Sequence, residues 1–176
     1  MEITEPGPHL DYMLQQTRIH HVQISMMADK KSNMLLTIAA VVITLSVRYL
    51  ADPNLKWAAL VLITFCLLTI LLATYAVMPK IPFSIKPVSQ QELNKPGFDL
   101  LFFVNFIRLE YKGFEAAMEE IMNDHNRIYQ AQVREIYNIG TFLYKKKYRF
   151  LKLAYILFLS GLFSSILVVL LSGVLS

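Results

Sequence analysis

Three long apolar runs punctuate the chain, separated by stretches in which charge and proline return. The second run is the least interrupted: "WAALVLITFCLLTILLATYAVM", Trp57 to Met78, has no charged residue, opens on Trp, carries Tyr75 near its end and stops at Pro79. A bilayer core requires about 20 helical residues at roughly 1.5 Å of rise each. An aromatic suits the interface, and proline ends a helix. The third run, Leu153 to Ser176, is of similar length, whereas the first, Met34 to Leu50, is shorter and holds Arg48. Arg48 lies beside the connector "ADPNLK", so its long side chain can reach the interface. That connector suffices only for a tight reversal, and the first two runs are predicted to form an antiparallel helical pair.

The polar stretches also carry helical spacing. From Leu10 to Asn33 there is no Gly or Pro, and Leu14, Arg18, His21, Ser25, Asp29 and Ser32 recur at steps of three and four. This helix is predicted to continue into the first span. After Met78, "PKIPFSIKP" and "NKPG" gather four of the seven prolines into an extended connector, with one helical turn expected at "SQQEL". A helical block is predicted after Gly97, through "FDLLFFVNFIRLEYKGF" and on to the third run, with Gly113 and Gly140 as its weak points. The resulting fold class is an all-α integral membrane protein with three transmembrane helices and long helices extending into a cytoplasmic region. The predicted divisions are an N-terminal helix over 1–33, spans over 34–50, 57–78 and 153–176, and a linker with a sensor region over 79–152.

Composition agrees with this pattern. Of 176 residues, 55% are hydrophobic and 17% charged, and the mean hydropathy of +0.44 excludes an ordinary soluble domain. The net charge of +4 reads first as topology, because Arg18, Lys30 and Lys31 precede the first span, Lys80 and Lys86 follow the second, and Lys145, Lys146, Lys147, Arg149 and Lys152 precede the third. Only Arg48 and Lys56 lie on the opposite side, so the N-terminus and middle region are expected in the cytoplasm and the C-terminus outside. No duplex nucleic acid is expected as a partner; the bilayer is. Cys66, the single cysteine, permits neither an internal disulfide nor a thiolate metal site. The opening "MEITEPGPHLDYMLQQ" has no basic start followed by an apolar core, so no secretory leader is expected.

The chemistry of catalysis is missing. There is no phosphate-cradling glycine loop, nucleophile elbow or H-E-x-x-H pair, and His20, His21 and His125 lack partners at metal-ligand spacing. No enzyme activity, metal or cofactor is expected. Asn33, Thr37, Ala40, Thr44 and Arg48 follow steps of four, three, four and four, which puts small and polar groups on one face of the first span. Such a face lines an aqueous path in an assembly of several copies, or packs closely against another helix with each Thr bonded to its own backbone. At the entrance to the spans, Asp29 offers nothing to anionic lipid and needs a protein partner, with Lys147 and Arg149 the candidates for a latch. In the middle region Arg108, Arg127, Arg134 and Tyr137, with Phe106, Tyr111 and Tyr129 nearby, have the guanidinium forks and aromatic faces that bind a small nucleotide. A solvated helix face has the same composition. Ser160, Gly161, Ser164 and Ser165 read as a helix-packing seam.

Two segments carry a resemblance. "MMADKKSNMLLTIAAVV" resembles the A-D-x-K-A-S-x-L-L stretch that opens the first span of the transmembrane effectors of Pycsar anti-phage systems. "REIYNIGTFLYKKKYRFLKLAYILFLSGL" is similar to that family's closing I-Y-x-L-G turn, K-Y-x-x-L-x-x-A-Y stretch and final span. The matching positions are Ala28, Asp29, Leu35 and Leu36 in front, and Ile136, Tyr137, Gly140, Lys147, Tyr148, Leu151, Ala154 and Tyr155 behind. Ile139 stands where the family has Leu. The resemblance implies a homo-oligomer, such as a tetramer, in the bacterial inner membrane. It implies control by a nucleotide second messenger from a partner cyclase or nucleotidyltransferase, either a cyclic pyrimidine nucleotide or a nucleotide oligomer, that opens or closes a depolarising pore and arrests the infected cell. A constitutive membrane scaffold without ligand gating is the alternative.

Overall fold

The computed structural model describes residues 2–79, 84, 86–93, 95 and 98–175. Lys80, counted above in the basic flank, lies outside them, as do Pro82, Pro96, Gly97 and Ser176. Among the described residues all regular structure is helical. Helix α1 runs Pro8–Ser46 and tightens into a 3₁₀ turn at Val47–Ala51. It is followed by α2 (Lys56–Val77), α3 (Gln90–Leu93), α4 (Phe103–Phe106), α5 (Tyr111–Met122) and α6 (His125–Phe142). A π-helical stretch at Leu143–Tyr148 leads into α7 (Arg149–Leu175).

Three segments are long and apolar enough to cross a membrane: Pro8–Ala51, Lys56–Val77 and His125–Ser172. In the last of these the apolar part is α7, since α6 carries Arg127, Arg134 and Glu135. With 22 residues, α2 is about 33 Å long, close to the roughly 30 Å of a hydrocarbon core. Only 17%, 22% and 17% of the three apolar windows are buried, so most of their surface is left for lipid or another chain. The protein is a membrane protein.

The chain divides into two compact units. One comprises Ile24–Met78 and Leu143–Ser176, the other Met1–Gln23 and Pro79–Phe142. These divisions fall earlier in the chain than the predicted 33/34 and 152/153. Hydropathy marks where charge disappears, whereas packing also includes polar residues that join helices. Ser25, Asp29 and Ser32 pack with the spans for that reason.

In the span unit the centre is built from Leu35, Ala73 and Ala154, with Leu36, Leu72 and Phe158 against them. Without water between helices, association depends on close packing and on hydroxyls that find carbonyls. Ser32 Oγ donates to the Ala73 carbonyl at 3.4 Å and Ser165 Oγ to the Ala58 carbonyl at 3.1 Å. Gly161 lets α7 approach α2 so closely that a Cβ there would collide with the Phe65 side chain at its own Cβ. Cys66 and Thr69 are fully buried in the same seam. Tyr75 and Phe150 meet edge to face at 4.5 Å. Tyr148 and Tyr155 donate to the carbonyls of Ile24 (3.2 Å) and Lys31 (3.5 Å), which sets α7 parallel to α1 along this stretch.

The second unit is organised by the α5–α6 hairpin. The predicted helical block after Gly97 does not form as one element: only the single turn α4 and then α5 are helical before Asn123. Gly113 and Gly140 lie inside helices, and the break comes between them at Asn123–Asp124. There the Asp124 carboxylate accepts the free N–H groups of Asn126 at 2.9 Å and Arg127 at 3.4 Å, starting α6. Asp99, only 3% exposed, explains the irregular stretch before α4. Its carboxylate accepts from Leu101 N (3.1 Å) and Asn138 Nδ2 (2.9 Å), and its carbonyl accepts from Asn105 Nδ2 (2.8 Å). A buried carboxylate needs donors, and one that it takes here, the Leu101 N–H, is a group that an uninterrupted helix would commit to its own ladder. Leu14 and Tyr129 are buried in this unit, and Arg18 of α1 pairs with Glu135 of α6 at 2.5 Å.

Candidate functional site

The α5–α6 hairpin and the segments before it line a half-open cavity of about 740 Å³. Its α5 wall is made of small residues, Gly113, Ala116 and Ala117, and Ala131 faces it from α6. The space exists because these positions carry no bulk; around Gly113 an added Cβ meets nothing within 4 Å. Arg108, Arg127 and Arg134, the three arginines nominated from the sequence, all line it. Tyr137 does not: it is 71% exposed and outside the lining. Of the aromatics expected beside a base, Tyr111 is 74% exposed and Tyr129 is buried, while Phe106 packs on Phe114 at 5.3 Å. Among the described residues, the aromatic on the cavity is Phe98, which the sequence alone did not single out.

The three guanidiniums differ in their electrostatics. Arg108 is held in a bidentate pair with Glu92, both bonds at 3.0 Å, and its Nε donates to the Lys86 carbonyl at 2.9 Å. Arg127 pairs with Glu120 across the hairpin and has Asp124 Oδ2 at 3.6 Å. The hydrogen bond that it donates to Glu120, then the charge of that carboxylate, holds the Arg127 guanidinium above its ordinary range. Arg134 Nη1 donates to the Phe98 carbonyl at 2.8 Å, and among the described residues no carboxylate pairs with it. Glu92 and Glu120, absent from the sequence reading, therefore decide which arginine is available. Glu92 lies 16 residues from its partner, and the seven-residue step from Glu120 to Arg127 crosses the break between α5 and α6, so periodicity gave no signal.

In the same unit two further groups are pushed away from their ordinary values. Burial pushes the Glu135 carboxyl up, with Asp99 adding to the rise and Arg18 opposing it. Burial and a hydrogen bond with Asp11 push the Tyr129 phenol up. Both are consequences of packing α1 against α6, since the neutral form of each is favoured where water is excluded.

In the span unit, Asn33, Thr37, Ala40 and Thr44 are exposed along α1, opposite the buried Ser32, Leu35 and Ala39. Thr37 Oγ1 donates to the Asn33 carbonyl and Thr44 Oγ1 to the Ala40 carbonyl, each at 3.0 Å. Arg48 falls in the 3₁₀ turn after α1, where it stacks over Tyr49 with 4.6 Å to the ring centre and donates to the Tyr49 hydroxyl. Of the two cations considered opposite Asp29, Lys147 meets it. Its Nζ lies 2.7 Å from both carboxylate oxygens and 2.8 Å from Ser25 Oγ, while Arg149 is exposed. Lys147 reaches inward from the π-helical stretch, and its neighbours Lys145 and Lys146 are exposed.

A family profile described as the Pycsar effector protein domain matches residues 12–174, nearly the whole chain. The chain belongs to the Pycsar effector family. No curated protein and no solved structure gives a significant match. The matched family is one of membrane effectors, and membership makes this chain an anti-phage defence effector. The membrane position is supported by this match together with three helices long and apolar enough to cross a bilayer.

Proposed function

We propose that this Pycsar effector is a nucleotide-controlled pore: several copies assemble in the bacterial inner membrane, with the N-terminus in the cytoplasm and the C-terminus outside. A nucleotide from a partner cyclase binds the α5–α6 cavity, and the bound state depolarises the membrane and arrests the infected cell. The observation that carries this reading is the cavity, whose volume of about 740 Å³ suits a ligand of nucleotide size and whose lining gathers all three nominated arginines. Coupling has a chain-level route. Helix α1 gives its first residues to the unit with the cavity and the rest to the spans, and α6 passes to α7 through a π-helical stretch without a loop. Asp29 and Lys147 are then the latch of the span unit. The exposed α1 face from Asn33 to Thr44 is the surface that three spans per chain leave for lining a shared path.

A constitutive scaffold is supported by one observation: the Thr37 and Thr44 hydroxyls are satisfied within their own helix, so this face tolerates lipid or a packed neighbour without water. Ion flux separates the two readings. Protein reconstituted in liposomes loaded with a potassium-sensitive dye is assayed with and without cyclic mononucleotides or short oligonucleotides. Flux that changes on ligand addition, and ceases to change in R134Q, is expected. A membrane left tight under every condition, in liposomes and in expressing cells, would refute the pore.

A further inference from the structure

Although the cavity gathers three guanidiniums, it is close to electrically balanced. Arg108, Arg127 and Arg134 line it together with Asp99, Glu110 and Glu120, and Glu92 stands behind Arg108. An incoming anion therefore meets cations that already have partners. The Arg108–Glu92 pair is the harder to open, being bidentate and with side chains only 21% and 35% exposed. Asp99 is buried and fixed by Leu101 and Asn138. Arg134, bonded only to the Phe98 carbonyl among the described residues, retains free N–H donors for one phosphoryl group. The pair next easiest to disturb is Arg127–Glu120, with side chains 49% and 68% exposed.

We propose that Glu120 is a charge filter that limits the cavity to a singly charged nucleotide anchored on Arg134. This rests on the nucleotide reading above. A phosphodiester closed into a ring carries one negative charge, which Arg134 can balance. A terminal phosphomonoester carries about 1.5 to 2 negative charges at pH 7, and the second must either remain unbalanced beside Asp99, Glu110 and Glu120 or displace Glu120 from Arg127. Repulsion between like charges inside a partly enclosed site makes the first course unfavourable, and the second forfeits the ion pair. Neutralising Glu120 removes both obstacles for the dianion and matters little to the monoanion. Glu120 thus sets specificity, and Arg134 sets affinity for either ligand.

The test compares ligands that differ in charge and not in base. Full-length protein in detergent or nanodiscs is titrated calorimetrically with 3′,5′-cyclic CMP and linear 5′-CMP, and with the corresponding uridine pair. Wild type should prefer the cyclic member of whichever pair binds. E120Q should raise affinity for the linear ligand relative to the cyclic one by about three- to fivefold, the range available to an exposed ion pair. E119Q changes net charge equally, but Glu119 lies outside this cavity, and it should leave the ratio unchanged. R134Q should weaken the cyclic ligand at least about tenfold, as expected for a lost charge-assisted hydrogen bond. Wild-type preference for the linear ligand, or a ratio that E120Q moves no more than E119Q does, would overturn the filter while leaving nucleotide binding intact. Failure of every nucleotide on both wild type and E120Q would overturn the filter and the nucleotide reading together.

Discussion

The Asp29–Lys147 pair offers the sharpest energetic prediction. Three oxygens, two from Asp29 and one from Ser25, surround the Lys147 ammonium at 2.7 to 2.8 Å. The Lys147 side chain is 13% exposed and that of Asp29 39%, so the ammonium depends on these partners while the carboxylate retains some water. Removing one member of a fully buried pair costs about 3–5 kcal/mol, and a hydrogen bond to a charged group is worth about 1.5–3 kcal/mol. Solvent around Asp29 screens the interaction, which places D29N near the lower end, at about 1.5–2 kcal/mol. For a chain of this size each kcal/mol moves Tm by about 2–4 °C, so D29N should melt roughly 3 to 8 °C below wild type. Thermal unfolding in detergent followed by circular dichroism measures this. K147M should be destabilised comparably, and the D29N/K147M double variant should be less unstable than the two losses added together, because the second substitution removes a charge that the first left stranded. Additivity within about 0.5 kcal/mol would refute the claim that the two side chains act as a unit.

Other consequences are open to direct measurement. G161A should destabilise by about 1–3 kcal/mol through overpacking, and F65A should fail to rescue it, since the Cβ of Phe65 is itself the colliding atom; rescue by F65A in thermal melts would contradict the packing. T37V and T44V should fold with nearly wild-type Tm, because they lose only hydroxyls bonded within the helix; on the pore reading, they should still alter liposome flux, and unchanged flux would remove this face from the path. For Glu135 the folded-state pKa is raised above the ordinary value of 4.5. The folded state then binds more protons than the unfolded one just above that pH, and stability falls as pH rises through this window before levelling off. E135Q should abolish the slope in denaturation followed from pH 4 upward, and a slope that persists would assign it to another group.

The spans were legible because hydrocarbon imposes one requirement on every residue it contacts, and uncharged runs such as Trp57–Met78 report it directly. Asp29 was legible as a residue in need of a partner, because a carboxylate at that depth has no other explanation. The partner's identity was only narrowed: Lys147 and Arg149 are two positions apart, and the π-helical stretch from Leu143 determines which of them turns inward. The arginines of the cavity could be nominated by chemistry, but their differing availability could not, since Glu92 and Glu120 reach them through tertiary contacts. The helix break at Asn123–Asp124 was hidden behind Gly113 and Gly140. A glycine only weakens a helix, whereas a well-placed aspartate captures the N–H groups that begin a new one. The bend at Asp99 was equally invisible, because it follows from one buried carboxylate collecting donors from distant parts of the chain.

The open space at Gly113 gives the protein a natural attachment point for a spectroscopic probe. Its one native thiol, Cys66, is sealed between helices at 1% exposure, so a maleimide dye offered to G113C would have a single reactive target. The label would sit on the cavity wall without shifting any neighbour within 4 Å of the new Cβ. Occupancy of the cavity and leakage through the bilayer could then be read from the same liposome at once, separating binding from opening in time.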